Sequence, residues 1–357
     1  MASNFTDSAM MAIIDTDVGG DDMVGLLMAM AAAPSIMQVI AITTVFGNVN
    51  VEKSLRNVVA MFHILWKEMA WRKGKDKSFS YGAFQSFKPV VSLGSGHALG
   101  QPVVVKTNGR PYGQDGLWNF HALYPEFTPD DSWKSLFDQS VPPPDKQPEF
   151  YQYFNASRAP SHLDILRILR DEPANTITLI ALGPLTNMAL AAAEDPETFL
   201  RAKELLIMGG AISVPGNISP VPEANAYNDA AAAARTYTLT SENLASTFPT
   251  TDFSKSLHHL QYLPSYSKPL ADAGSPLSTL AYTFMEGIHD NCDKDCIFLE
   301  GTNEECITLH GPVPVRYALE KDFWNISAPS GLCVESLGQW AKGMQVEYQI
   351  NMTDPFD

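Results

Sequence analysis

The sequence predicts an α/β fold, an open, mainly parallel, doubly wound sheet with helices on both faces. Three observations carry that reading. Short β-rich apolar runs alternate with stretches of helical period. They recur in the order strand, helix, strand, as parallel strands joined by crossover helices require. The chain of 357 residues is 45% hydrophobic, enough to fill one large core.

The elements follow in order. Ala12-Ile13-Ile14 reads as a buried strand ending near Asp17, and Gly19 and Gly20 allow a tight turn. Asp21 and Asp22 then open a helix running from Val24 to Ala33. Val39 to Thr44 gives the next strand and Val51 to Trp66 the next helix. Residues 119–161 break the regularity with Pro125, Pro129, Pro142, Pro143, Pro144, Pro148 and many aromatics. A stretch of that kind is either a lid or a packed insertion. In His162 to Arg170, Leu163, Leu166 and Leu169 form one stripe with Ile165 beside it, the pattern of a covering helix. Thr176 to Leu182, Leu185 to Ala193 and Glu204 to Met208 complete a further strand, helix and strand. Neither a repeat nor a Gly/Ser-rich linker divides the chain, so one domain is expected over residues 1–357.

Charge narrows the partners. With 24 Lys plus Arg against 40 Asp plus Glu, the formal net charge is −16, which repels a phosphate backbone and excludes nucleic-acid polymer as the expected partner. The amino terminus lacks a basic segment followed by a long apolar one, and no uninterrupted apolar run approaches the ~18 residues of a membrane span. The expected location is therefore the cytoplasm. There, free thiols are the expectation for Cys292, Cys296, Cys306 and Cys333, although the Cys-x3-Cys spacing of the first pair also suits a metal or a disulfide.

The stretch Asp15-Thr-Asp-Val-Gly-Gly-Asp-Asp22 raises the chemical question. Helix capping accounts for one or two of its carboxylates. Four at the carboxyl end of a buried strand cost several kcal/mol unless protons or a cation neutralise them. Oxygen-only ligands point to Ca²⁺ or Mg²⁺, with Ca²⁺ favoured by a flexible mix of carboxylate, carbonyl and water. A phosphatase-type Asp-x-Asp nucleophile is the competing reading, but it leaves Asp21 and Asp22 without a purpose.

Further motifs follow: Gly47-Asn48, Gly113-Gln-Asp-Gly-Leu117, Ala181-Leu-Gly-Pro-Leu-Thr-Asn187, Met208-Gly-Gly-Ala211, Gly216-Asn217 and Glu223-Ala-Asn-Ala-Tyr-Asn-Asp229. In this order they resemble those of the inosine-uridine-type nucleoside hydrolases. That resemblance implies a mainly parallel α/β fold, hydrolysis of a ribonucleoside N-glycosidic bond, a role in nucleoside salvage, and a homodimer or homotetramer. It also implies roles for single residues. Asp17 and Asp22 through side-chain oxygens, and Thr186 through its carbonyl, would bind Ca²⁺. Asp17 would act as general base toward a water, and His310 would protonate the departing base. Asp21, Asn48, Asn217, Glu223 and Asn225 would hold the ribose hydroxyls, and Asp15 would support the others without ligating. Trp118, Tyr227 and Phe46 adjoin these motifs and could stack on a base or fill the core.

The pattern departs from the family at three places. His310-Gly311-Pro312 stands where the family carries His-Asp-Pro, which removes an anionic ligand. Val18 replaces a proline, and Tyr112 stands where a histidine often precedes the Gly-x-x-Gly element. The first departure opens an alternative to a working hydrolase: a member that binds a ribosyl ligand without turnover, or one that acts on a substrate of specialised metabolism. The acidic stretch from Asp290 to Asp295 is a candidate source of a substitute ligand.

Overall fold

In the computed structural model, which describes residues 9–99, 112–138, 140, 142, 147–212, 215–239, 245–247, 259–261, 264–290, 306–325 and 331–348, the first apolar run forms β1 (Met10–Thr16). The chain turns at Asp17-Val18-Gly19 into α1 (Gly20–Ala31), so both Asp21 and Asp22 lie within the first helical turn rather than ahead of it. β2 (Met37–Thr44) and α2 (Val51–Lys73) follow. α2 runs seven residues beyond the predicted end at Trp66 because Glu68, a charged residue where an apolar one is expected, is buried with partners. It accepts hydrogen bonds from Arg72 Nε (2.6 Å) and from Leu277 N (3.0 Å) at the start of a later helix.

The central sheet is completed by β3 (Val90–Leu93), β4 (Asn155–Ala156), β5 (Ile177–Ala181), β6 (Glu204–Ile207) and β7 (Ala245–Thr247). Among the described residues it has seven strands in the order β4-β3-β2-β1-β5-β6-β7. Every pairing is parallel. The predicted fold class holds. Side chains along β1 alternate between two cores. Ala12 and Ile14 join Met23 and Leu26 of α1 and Val58, Val59 and Phe62 of α2 on one face. Ile13 joins Ile165 and Leu169 of α3 (Ser161–Asp171) and Met188 of α4 (Thr186–Glu194) on the other. Each of these large buried side chains contributes on the order of 1.5–3 kcal/mol by leaving water.

The covering stripe on α3 differs from the predicted one. Ile165, Leu166, Ile168 and Leu169 are buried, whereas Leu163 is 40% exposed, because it sits in the first turn, away from the sheet. Within 119–161, Trp133, Phe150, Tyr151 and Phe154 are buried in the same core as α2. Phe154 lies 5.0 Å from Phe62, and Phe150 lies 4.8 Å from His63, centroid to centroid. The stretch ends by contributing β4 to the sheet. These residues are packed framework, and the lid role has no support from their placement.

The strand order reverses direction at one point. From β1 the chain winds outward through β2 to β4, and from β5 it winds the other way through β6 to β7. In open α/β sheets the ligand crevice lies beyond the carboxyl ends of the strands at such a switch point, here those of β1 and β5. Asp17 follows β1 and Thr186 follows β5, so topology alone places the two motifs at one crevice. Among the described residues, no helix is long and apolar enough to cross a membrane.

Candidate active site

The carboxylates at the end of β1 share one arrangement: the scaffold holds one oxygen of each. Asp15 Oδ1 accepts from Thr43 Oγ1 and from Asn187 Nδ2 (2.8 Å). Asp17 Oδ2 accepts from Asn48 N (2.6 Å). Asp22 Oδ2 accepts from Gly19 N (2.8 Å) and Asn48 Nδ2 (2.9 Å). Asp21 Oδ2 accepts from Gly311 N (2.9 Å). The second oxygens, Asp15 Oδ2, Asp17 Oδ1, Asp21 Oδ1 and Asp22 Oδ1, are buried without a hydrogen-bond partner. None of the four residues is more than 2% exposed.

Two glycines make room for Asp17. A Cβ on Gly47 would stand 2.0 Å from Asp17 Oδ2, and one on Gly183 would stand 3.0 Å from Asp17 Oδ1. Burial pushes Asp17 and Asp22 well above the ordinary carboxylate range. The negative charge of Asp17 and Asp21 adds to the effect on Asp22. Burial raises Asp15 to about 6. Four carboxylates held this way are costly as anions, and four bare oxygens are hard donors. In chemical type they would suit a divalent cation of the Ca²⁺ class, which takes oxygen ligands. Among the described residues, carboxylates, imidazoles and thiols do not by themselves assemble a ready group of three.

The remaining predicted residues fall around this cluster. Asn48 is bound to Asp17 and Asp22 through its backbone and side chain respectively. Thr186 starts α4, fully buried, and its Oγ1 donates to Asp229 Oδ2 at 2.7 Å. Glu223 caps α5 (Ala224–Asn228), accepting from Asn225 N (2.8 Å) and Ala226 N (3.0 Å). It is buried, its carboxyl is raised by that burial, and its charge is felt at Asp17. Asn225 Nδ2 donates to Leu182 O (2.9 Å) and Met208 O (3.2 Å), just past β5 and β6. Both amide hydrogens of Asn225 are thus taken. Asn217 stands apart, exposed, with Oδ1 accepting from Ala224 N at 2.8 Å. His310 is half-buried directly before Gly311, and its carbonyl accepts from Val313 N (3.0 Å) in α8 (Pro312–Leu319), which comes after α6 (Ala230–Tyr237) and α7 (Pro276–Asp290) in the chain. The acidic stretch Asn291 to Asp295 lies outside the described residues, as do Cys292 and Cys296.

Of the three aromatics, Phe46 is fully buried and Trp118 is 8% exposed, so both belong to the core. Tyr227 is partly exposed, with Lys342 Nζ over its ring at 5.3 Å.

Gly311 is explained by its neighbours. A Cβ there would stand 2.7 Å from the Asp21 carbonyl carbon and oxygen and 2.8 Å from Asp22 N, all backbone. Gly25 of α1 is likewise packed, its Cβ position 2.9 Å from Gly311 O. The start of α8 therefore docks onto the start of α1 more closely than any side chain at residue 311 permits.

Three supporting residues escaped the sequence reading. Asn187 ties Asp15 to Thr44 O (2.9 Å) and to Ser95 N (3.0 Å). Asp229 gathers Thr186, Leu99 N (2.9 Å) and Ala232 N (3.0 Å). Tyr112 faces Asp21. Asn187 and Asp229 each end a motif that sequence inspection does find, and burial of a polar motif terminus is the signal that marks them.

The family model of the inosine-uridine preferring nucleoside hydrolases matches residues 12–355. The chain belongs to that family. Among relatives, it is 30% identical over 233 residues to a probable uridine nucleosidase 2 of Arabidopsis thaliana, covering 65% of this chain and 57% of that protein. It thus spans little more than half the length of that relative. It is 25% identical over 345 residues to a pyrimidine-specific ribonucleoside hydrolase of Klebsiella pneumoniae, covering 97% of this chain and 90% of that protein. A solved plant nucleoside hydrolase has the same fold, with a TM-score of 0.67 at 23% identity over 98% of this chain and 90% of that one. An inosine-guanosine nucleoside hydrolase gives the same TM-score at 21% identity over 96% and 88%. The fold and the family are therefore those the motifs anticipated.

Proposed function

We propose that this nucleoside hydrolase family member cleaves the N-glycosidic bond of a ribonucleoside or related N-riboside. One observation carries the proposal: four buried aspartates at the crevice mouth, each with one oxygen held and one bare. Asp17, Asp22 and the carbonyl of Thr186 are the proposed cation-holding groups. A bound Ca²⁺ supplies positive charge that offsets the carboxylates and lowers the pKa of water.

The chain's own groups do the rest. Asp17 accepts the proton of the attacking water, and the burial that raises its pKa makes it a stronger base. Asp21 and Asn225 accept hydrogen bonds from ribose hydroxyls, while Asn48, Asn217 and Glu223 complete the sugar contacts. As the bond to the base breaks, positive charge grows on the ribose ring, and the surrounding carboxylates stabilise it. His310 delivers a proton to the departing base. The working form is proposed to be a cytoplasmic homodimer or homotetramer.

A second reading, ribosyl binding without turnover, draws on Gly311, where a backbone N–H rather than a carboxylate meets Asp21. Incubation of the purified protein with purine and pyrimidine ribonucleosides and Ca²⁺, with free base followed by chromatography, separates the two. Base release that collapses in Asp17→Asn supports hydrolysis. Nucleoside-dependent thermal stabilisation with no base released supports binding alone.

A further inference from the structure

The loop Tyr112-Gly-Gln-Asp-Gly-Leu-Trp-Asn119 is conformationally costly. Gly113 (φ +72°) and Gly116 (φ +84°) take left-handed conformations, and so do two consecutive non-glycine residues, Trp118 (φ +53°) and Asn119 (φ +62°). Such backbone persists only where its surroundings over-determine it. Asp115 does this. Its Oδ1 accepts from Leu117 N (2.9 Å) and Asn119 N (2.8 Å), and its Oδ2 accepts from His121 N (3.2 Å). Asn57 Nδ2 bridges Asp115 O (2.9 Å) to Val18 O (3.0 Å), which fastens the loop to the acidic turn. Asn57 Oδ1 is paired with His121 Nε2 at 2.9 Å. Trp118 N donates back to Tyr112 O at 2.8 Å and closes the loop.

The product of this arrangement is the placement of Tyr112. Its ring lies where a Cβ on Gly19 would stand 2.6 Å from Cδ2, and it meets the Trp118 ring edge to face at 5.1 Å. Trp118 is itself wedged between Gly20 and Gly287, whose Cβ positions fall 2.3 Å and 2.2 Å from its ring. So seated, the Tyr112 hydroxyl faces the Asp21 carboxylate. Burial and the nearby carboxylates keep that hydroxyl protonated. The Gly311 amide, at the start of α8, holds Asp21 Oδ2, and Oδ1 stays bare.

We infer that Tyr112 is a positioning residue for Asp21: together with the Gly311 amide it fixes the carboxylate so that one acceptor oxygen remains turned into the site, and Asp115 sets the loop that delivers it. Its effect on substrate rests on the proposed nucleoside reading, in which that oxygen receives a ribose hydroxyl.

Crystal structures of the wild-type protein, Tyr112→Phe and Asp115→Asn test this independently of turnover. Phenylalanine keeps the ring packed against Gly19 and Trp118. In that variant Asp21 is expected to rotate or to occupy a second rotamer, while Asp17 and Asp22 keep theirs. In Asp115→Asn, Tyr112 and Asp21 are expected to shift together. An Asp21 side chain unmoved in Tyr112→Phe overturns the proposal, and an unmoved Tyr112 in Asp115→Asn overturns the part assigned to Asp115. With a nucleoside that the wild type cleaves, Tyr112→Phe is expected to raise KM about tenfold at unchanged kcat and unchanged Ca²⁺ dependence. A fall in kcat alone contradicts positioning of a sugar contact. A wild-type protein that releases no base removes the proposed function, and the Asp21 orientation in the crystals then decides the role of Tyr112.

Discussion

On the β1 side of the site, four aspartates sit together with one oxygen each held by Asn48, Asn187, Thr43, Gly19 or Gly311. On the α8 side, the chain brings His310 and, at a helix start, the Gly311 backbone amide that donates to Asp21. One wall supplies negative charge and the other supplies donors and the positive end of a helix dipole. The contrast shows how a helix start can meet a carboxylate wall through a backbone amide, with no side chain between. Gly311 lets α8 close on the Asp21-Asp22 backbone, and its N–H takes up a carboxylate oxygen that would otherwise want a partner. Charge is concentrated on one wall, and the opposite wall is built to tolerate it.

Four experiments break or sharpen that contrast. The largest expected effect is on the charged wall, where Asp17→Asn should reduce base release by about 10³-fold, the usual range for losing a general base. The same change removes a buried anion, so the cation-free protein should melt at a higher temperature. A variant both slower and less stable would contradict that assignment.

Next comes pH. Asp15 has a folded-state pKa of about 6 against an ordinary 3.8, and Asp17 and Asp22 are shifted in the same direction. Groups raised on folding stabilise the protein below their unfolded pKa, and that contribution is lost as pH rises through the folded one. The cation-free protein should therefore lose stability between about pH 4 and pH 6. Asp15 alone accounts for roughly 3 kcal/mol of that loss. Ca²⁺ at neutral pH should restore stability. Denaturant titrations across this range, with and without Ca²⁺, read the sign directly.

On the dipole wall, Gly311→Asp would add a carboxylate. Its Cβ meets backbone at 2.7 Å, so a loss of about 2 kcal/mol is expected with no gain in Ca²⁺ affinity. Tighter Ca²⁺ binding in this variant would show that α8 can back away. The smallest effect is expected at Asn187→Ala, which frees Asp15, Thr44 O and Ser95 N and should cost about 1–2 kcal/mol by thermal or chemical denaturation.

The two walls were unequally legible. The β1 wall is local in sequence: an apolar strand, a glycine turn and four aspartates within eight residues announce the acidic site. The alternating elements likewise disclose the parallel sheet, although Glu68 hides the last turns of α2 and Leu163 misplaces the α3 stripe. The α8 wall is non-local. Gly311 reads as a missing ligand until its contact with Asp21, 290 residues earlier, is visible. Asn187 lies 172 residues from Asp15 and reads as a motif ending until the two are seen hydrogen-bonded. Trp118 and Asn119 carry left-handed backbone that no spacing rule assigns to such residues. Long-range polar contacts and strained loops depend on the finished fold, and residue periodicity records only the faces of its elements.

Calorimetric titration of Ca²⁺ into the wild-type protein and into Asp22→Asn, each with ribose present, tests the central claim most directly. The bare oxygens of Asp17 and Asp22 predict about one ion bound per wild-type chain and no binding heat in the variant. Equal binding by both proteins, or none by the wild type, would contradict it.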